Sequence, residues 1–192
     1  MFEVELKFRI DDRGDFRHRL AGAGAVLVSA DTNADSYYNH PCRDFAQTGE
    51  ALRIRREGDI PMITYKAAKL PGSVKAREEL EWRLDPGDAD GTSMEKLFQR
   101  LGFCHVATVT KNRTTFRVGG AEDAMTVTMD EVADIGSDGG VGHYAEIECV
   151  IPSDSPSETE IRLARQRVTE LAKQLGLSSP ESRSYLRMLL ER

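Results

Sequence analysis

The first ten residues, Met-Phe-Glu-Val-Glu-Leu-Lys-Phe-Arg-Ile, alternate apolar and charged positions without a break. Successive side chains of a strand point to opposite faces, so residues 2–10 predict a strand. One face carries Phe2, Val4, Leu6, Phe8 and Ile10, and the other Glu3, Glu5, Lys7 and Arg9. The same division returns downstream. Residues 35–39 predict a short strand, and 41–48 a loop. In residues 50–56, Arg53 and Arg55 lie opposite Leu52 and Ile54, and a Gly58-Asp59 turn joins them to residues 62–66 as a hairpin. After a break at 69–72, residues 75–84 set Lys75, Arg77, Glu79, Glu81 and Arg83 opposite Leu80, Trp82 and Leu84. Residues 109–116 place Lys111 and Arg113 on one face, and 125–130 place Thr126, Thr128 and Asp130 together. Glycine-rich residues 136–142 read as a mobile hairpin loop. The segment beyond it puts Tyr144, Glu146 and Glu148 opposite Ala145, Ile147 and Cys149.

Helices show the longer period. Residues 12–24 predict one, capped by Asp12 or Asp15, striped by Phe16, Leu20 and Ala23, and ended by Gly22 and Gly24. Its Gly-Ala-Gly-Ala stretch closes a helix where a phosphate loop would open one, and no G-K-[ST] follows. Thr92-x-x-Glu95 has the capping-box pattern, ahead of a helix with Met94, Leu97, Phe98 and Leu101 inward and a stop at Gly102. Ser157-x-x-Glu160 opens a longer helix along Ile161, Ala164, Val168, Leu171 and Leu175, stopped at Gly176. Ser179-Pro180 precede a last short helix carrying Tyr185, Leu186, Leu189 and Leu190. Trp82, Phe98 and Phe103 are expected in the core beneath helices rather than as a platform for stacked bases.

Composition narrows the class. No repeat, linker or low-complexity tract divides the 192 residues, which predicts one domain over 1–192 that buries about 70 % of its unfolded surface. The chain is 30 % charged, and no apolar run nears the ~20 residues of a membrane span. It starts directly on a strand, without the basic and apolar regions of a signal peptide, so a cytoplasmic location is expected. Cys42, Cys104 and Cys149 form no C-x-x-C pair and are expected as buried, unpaired thiols of a reducing compartment. A net charge of −6 argues against a nucleic-acid binder but permits a small anion in a locally basic pocket. His18, His40, His105 and His143 lack zinc-ligand spacing, and no G-x-S-x-G occurs.

The charged faces carry the chemistry. An open sheet facing water also alternates, and a surface ion-pair reading of these faces stands beside the functional one. Yet like charges two residues apart repel when exposed, and E-x-E, R-x-R, E-x-E, K-x-R and E-x-E recur along this chain. Such faces suit a barrel interior that converges on something multiply charged. Arginines and lysines would bind a polyanion there, and carboxylates would hold Mg²⁺ or Mn²⁺.

These residues resemble a known family. Glu3-Val-Glu-Leu-Lys7 is similar to the E-x-E-x-K signature of the CYTH superfamily, the triphosphate tunnel metalloenzymes. The resemblance continues through Asp35-x-Tyr-Tyr, Pro41-x-Arg43-Asp-Phe, Glu50-Ala-Leu-Arg-Ile-Arg55, Thr64-Tyr-Lys66 and Lys75-x-Arg77-x-Glu79-x-Glu81. Lys111-x-Arg113, Asp130-Glu-Val, Glu146-Ile-Glu148 and Ser184-Tyr185 complete it. The blocks over 35–55 and 64–81 are most similar to the class IV adenylyl cyclase (CyaB-like) branch, with Gly49 standing where that branch often has an acid. No residue is identified that recognises adenine.

The resemblance implies an α+β fold, an antiparallel eight-stranded β-barrel or tunnel with flanking α-helices, often as a homodimer. It implies that Lys7, Arg53, Arg55, Lys66, Arg77, Lys111 and Arg113 clamp a triphosphate, with Lys7, Lys111 and Arg113 essential to turnover. Glu3, Glu5, Glu79, Glu81, Asp130, Glu146 and Glu148 would supply ligands to Mg²⁺ or Mn²⁺. The implied reaction is conversion of ATP to cyclic AMP and pyrophosphate. The alternatives are hydrolysis of tripolyphosphate or thiamine triphosphate, and a non-catalytic polyphosphate- or triphosphate-binding module. Neither a membrane nor a nucleic-acid partner is expected.

Overall fold

The computed structural model describes residues 1–57, 60–120, 124–136, 138–153 and 155–192. The alternating segments form β1 (Phe2–Arg9), β2 (Val26–Asn39), β3 (Ala51–Glu57), β4 (Ile60–Lys66) and β5 (Lys75–Arg83). They continue with β6 (Cys104–Val118), β7 (Met125–Val132) and β8 (Gly142–Ile151). All neighbours are antiparallel, and the sheet closes in the order β1-β5-β4-β3-β2-β6-β7-β8. The expected eight-stranded barrel is the observed one.

Helices α1 (Arg13–Gly22), α2 (Phe45–Thr48), α3 (Thr92–Arg100), α4 (Glu158–Gln174) and α5 (Tyr185–Leu190) flank it. The apolar faces of the strands turn outward beneath them. Val4, Leu6 and Phe8 of β1 pack with Phe16 and Leu20 of α1 and with Ala164, Val168 and Leu171 of α4. On another flank, Phe98 of α3 and Phe45 of α2 cover Tyr38, Leu52 and Ile54. Apolar area is thus buried outside the barrel, which leaves the interior to polar side chains. Asp12 caps α1 by accepting from Asp15 N at 2.9 Å, and Ser157 with Glu160 completes the capping box of α4. Among the described residues, no helix is long and apolar enough to cross a membrane.

Several local expectations are corrected. Strand β2 starts at Val26 rather than at 35, because it pairs along nearly its whole length with the equally long β6. Val26, Leu27 and Val28 are exposed there, so burial imposes no alternation that a sequence reading can detect. Within the expected loop at 41–48, Asp44 caps the single turn of α2 by accepting from Ala46 N at 3.0 Å. The Thr92 capping box does not form. Gly91, at φ 74°, is the cap residue, and the free amides are served by Asp90 (from Thr92) and Asp88 (from Ser93 and Met94). Glu95 instead accepts from Arg56 at 2.9 Å.

Leu97 and Leu101 are 48 % and 59 % exposed rather than inward, since α3 lays only Phe98 and Met94 on the sheet. Trp82 is 55 % exposed and belongs to none of the apolar clusters among the described residues, whereas Phe98 is buried and Phe103 partly so. Cys42 and Cys104 are exposed and only Cys149 is buried, for the first two lie at the chain's turning points rather than under a helix. Leu190 is exposed, and α5 buries Tyr185 and Met188 instead. The β3–β4 hairpin forms, with Glu57 opposite Ile60, but its Gly58-Asp59 turn lies outside the described residues. The glycine-rich loop joins β7 to β8, where Gly136 N donates to Gly140 O at 2.8 Å.

Candidate functional site

The strand positions that alternate with the outer apolar cluster face the barrel interior, and most are buried. Glu3, Glu5, Lys7, Asn33, Asp35, Arg53, Arg55, Lys66, Glu79, Lys111, Thr128 and Asp130 all belong to this set. Register sets opposite charges abreast: Glu3 opposite Arg77, Lys7 opposite Glu146, Lys66 opposite Glu79, and Arg113 opposite Asp130. Charges withdrawn from water are tolerated only when paired and hydrogen-bonded. This interior meets that demand with three linked networks.

The first centres on Asp35. Arg55 Nε and Nη2 donate to its two carboxylate oxygens at 2.7 and 3.0 Å. Lys111 Nζ donates at 2.6 Å, and Arg53 Nη1 at 3.4 Å. Burial pushes the Asp35 carboxyl up, but Lys111, Arg55 and Arg53 outweigh it and hold the group well below the usual carboxylate range. Lys111 is brought down to about 7 by burial, with Arg55 and Arg113 repelling its charge and Asp35 only partly compensating.

In the second network, Lys66 Nζ lies 2.6 Å from Glu3 and 2.7 Å from Glu79. Burial disfavours its charge, yet Glu3 and Glu79 together raise it above the ordinary lysine value. Glu3 is raised by burial and by the neighbouring charges of Glu5 and Glu79. Glu148 is raised by burial and by Glu79 and Glu5. Four carboxylates from three strands thus repel one another across this part of the interior. Glu5 itself is held by Lys75 at 2.9 Å.

The third network joins Arg113 to both oxygens of Asp130, at 2.7 and 2.6 Å, and to Glu146 at 2.5 Å. Lys7 lies 3.8 Å from Glu146 and 4.1 Å from the ring centroid of Tyr185. Burial draws Lys7 down to about 8, against the attraction of Glu146. Tyr185 also donates its hydroxyl to Asp130 at 2.8 Å. With Met188 it packs on Tyr37, Val109, Val132 and Tyr144, each of which shares a strand face with interior charges. Helix α5 therefore closes one end of the barrel.

The expected cations and carboxylates thus all lie on interior strand faces. The structure gathers Arg53, Arg55 and Lys111 on Asp35, Lys66 between Glu3 and Glu79, and Arg113 between Asp130 and Glu146. Glu81 stands apart, accepting from Thr64 Oγ1 at 2.8 Å, and Arg77 is half-buried. The sequence reading gave no role to Asp35, Lys75, Tyr185 or Asn33. Asp35 stood at the edge of a strand predicted too short, and only the fold brings Tyr185 across the barrel end.

An all-oxygen donor set suits a hard divalent cation. Among the described residues no three of these carboxylates are gathered into a ready coordination shell. Glu3, Glu5, Glu79 and Glu148 nonetheless offer carboxylate oxygens from three neighbouring strands, with Glu3 and Glu148 raised by burial and by the adjacent carboxylates, so the residues fit the group.

Comparison with known proteins agrees with this architecture. The CYTH domain family model matches residues 1–185. A Methanocaldococcus jannaschii protein named putative adenylate cyclase is 30 % identical over 190 residues, covering 98 % of each chain. The Aeromonas hydrophila adenylate cyclase CyaB is 27 % identical over 187 residues, covering 96 % of this chain and 86 % of that protein. A solved structure from Pyrococcus horikoshii superposes with a TM-score of 0.81 at 33 % identity, with 98 % of both chains covered.

Proposed function

The chain belongs to the CYTH domain family, and from that premise we propose that its barrel binds a nucleoside triphosphate with a divalent cation and acts as an adenylyl cyclase. One observation carries the reading: Arg53, Arg55 and Lys111 converge on a single buried point, now occupied by the Asp35 carboxylate. Cations so arranged suit a phosphoryl group, because the two guanidinium forks and the ammonium are already aimed and lose little freedom on binding. The cyclase assignment is supported by the two adenylate cyclase-named relatives, which match nearly the whole chain.

In this reading the phosphate chain lies along the interior with Lys7, Arg53, Arg55, Lys66, Arg77, Lys111 and Arg113 sharing its charge. Lys7, Arg53, Arg55, Lys66, Lys111 and Arg113 each exchange part of their carboxylate contact for a phosphoryl oxygen. Arg113 is held rigid by Asp130 and Glu146, so it presents a fixed donor to the charge that develops as the bond to pyrophosphate breaks. Glu3, Glu5, Glu79 and Glu148 would hold Mg²⁺ or Mn²⁺, with Lys66 and Lys75 yielding their partners. Bound there, the cation supplies Lewis-acid polarisation of phosphoryl oxygens. Helix α5 seals one end, so water is kept from that side of the reacting phosphates.

Turnover tests the reading. Purified protein is given ATP and, separately, tripolyphosphate, each with Mg²⁺ or Mn²⁺, and the products are resolved. Cyclic AMP with pyrophosphate is the expected outcome. Orthophosphate without cyclic AMP would make the barrel a triphosphatase, and tight binding without turnover would make it a binding module.

A further inference from the structure

Asn33 is 0 % exposed, and neither its Oδ1 nor its Nδ2 has a hydrogen-bond partner among the described residues. It sits on β2 two residues from Asp35 and therefore on the same interior face. Register places it opposite Glu57 on one side and Lys111 on the other. A buried carboxamide with both ends unmet is costly, and side chains of this kind are ordinarily satisfied. Among the described residues nothing uses it.

Its level in the barrel indicates what it faces. Tyr37, Val109 and Val132 contact α5 at the closed end. Two residues farther along the same strands stand Asp35, Lys111 and Asp130, which form the gripping networks. Another two bring Asn33, Arg113 and Thr128, and the Thr128 hydroxyl is likewise buried without a partner among the described residues. Beyond Asp35 on the side away from α5, the interior thus holds two neutral polar side chains without partners among the described residues, Asn33 and Thr128, beside the paired Arg113. Because α5 fills the other end, any organic group attached to the phosphates must extend toward this level.

The carboxamide also specifies chemistry. Nδ2 donates and Oδ1 accepts. An ionised tripolyphosphate offers acceptors alone and would leave Oδ1 unmet. A ligand that satisfies both atoms must carry a donor and an acceptor side by side. The edge of adenine does so, and so does a ribose hydroxyl.

We infer that Asn33 contacts the nucleoside of the bound triphosphate through this donor–acceptor pair and selects nucleotides over inorganic tripolyphosphate. The inference rests on the nucleotide reading above and names the residue that gives it specificity.

The test is calorimetric titration of wild type, Asn33→Leu and Asn33→Ala with α,β-methylene-ATP and with a methylene-bridged triphosphate lacking the nucleoside, both in Mg²⁺. Asn33→Leu should weaken the nucleotide about tenfold or more, as loss of two hydrogen bonds requires, and change the nucleoside-free ligand by less than twofold. The ligand-free variant should melt no lower than wild type, because an unmet amide has been replaced by an apolar group of similar size. Should the leucine variant fail to fold, Asn33→Ala is read in the same way. Inosine and 3′-deoxyadenosine analogues then identify the source: the wild-type preference lost by the variant is for the base edge or for the hydroxyl. Equal weakening of both ligands, or of neither, in a protein that still makes cyclic AMP overturns the role of Asn33 alone. A wild type that binds the nucleoside-free ligand but no nucleotide overturns the nucleotide reading and this inference together.

Discussion

Lys111 Nζ lies 2.6 Å from Asp35 Oδ2, and each side chain is 1 % exposed. The pair is buried, yet Lys111 retains a pKa of about 7, because the neighbouring Arg55 and Arg113 add to the effect of burial. A buried lysine lowered in this way gives the barrel a definite pH response. In the unfolded chain Lys111 keeps its proton up to about 10.5, whereas in the folded chain it releases it near 7. Between those values the unfolded state binds more protons, so this group makes stability rise with pH. Lys7, at about 8, acts in the same direction over a narrower window. The melting temperature of the ligand-free protein should climb between pH 7 and 9, and Lys111→Met should flatten the climb. An unchanged slope in the variant would remove Lys111 from the account.

A bound polyanion favours the protonated form of Lys111. Triphosphate binding at pH 8 should therefore draw a proton from solution. Calorimetry in two buffers of different ionisation enthalpy measures the uptake, which should fall in Lys111→Met to the smaller share taken up by Lys7.

Lys7, Lys111 and Arg113 each contact an interior carboxylate. Alanine at any of the three should lower turnover more than tenfold, about 1.4 kcal/mol or more of transition-state stabilisation. Arg113→Lys should not restore activity, since one ammonium cannot span both oxygens of Asp130 and also reach Glu146. Near-normal rates in all three alanine variants would remove these residues from the reaction.

Tyr185 is buried, and its hydroxyl donates to the ionised Asp130. Tyr185→Phe removes a charge-assisted hydrogen bond while keeping the ring over Lys7. Denaturant unfolding should show a loss of about 1–3 kcal/mol. A neutral substitution would mean that Arg113 alone satisfies Asp130.

Ser157 is exposed and caps α4, which packs on the outer apolar faces of the strands rather than in the interior. Ser157→Ala should cost about 1 kcal/mol of stability and leave turnover unchanged, which separates effects on the fold from effects on the site.

Much of this protein is legible in one dimension. Strict alternation in β1, β3, β5 and β8 determined which side chains share a face, because strand geometry admits only two sides. A capping carboxylate at Asp12 or Asp15 and the capping box at Ser157 marked two helix starts, since capping is a local hydrogen bond. Where local rules fail, the reason is tertiary. Thr92 lost its capping role to Asp88 and Asp90, whose reach depends on how the preceding loop folds. Trp82 is exposed on the apolar face of β5, since alternation tells which residues share a face but not which part of that face is covered. The partners of each interior charge also lie beyond the sequence. Asp35 meets Lys111 across 76 positions and Lys66 meets Glu3 across 63, and only closure of the barrel sets those distances. The sequence alone determined that cations and carboxylates would line one surface, by the period of a strand. Tertiary structure decided that Asp35 holds three of the cations, that Tyr185 seals one end, and that Asn33 is left without a partner among the described residues, because strand register and barrel closure fix which side chains meet.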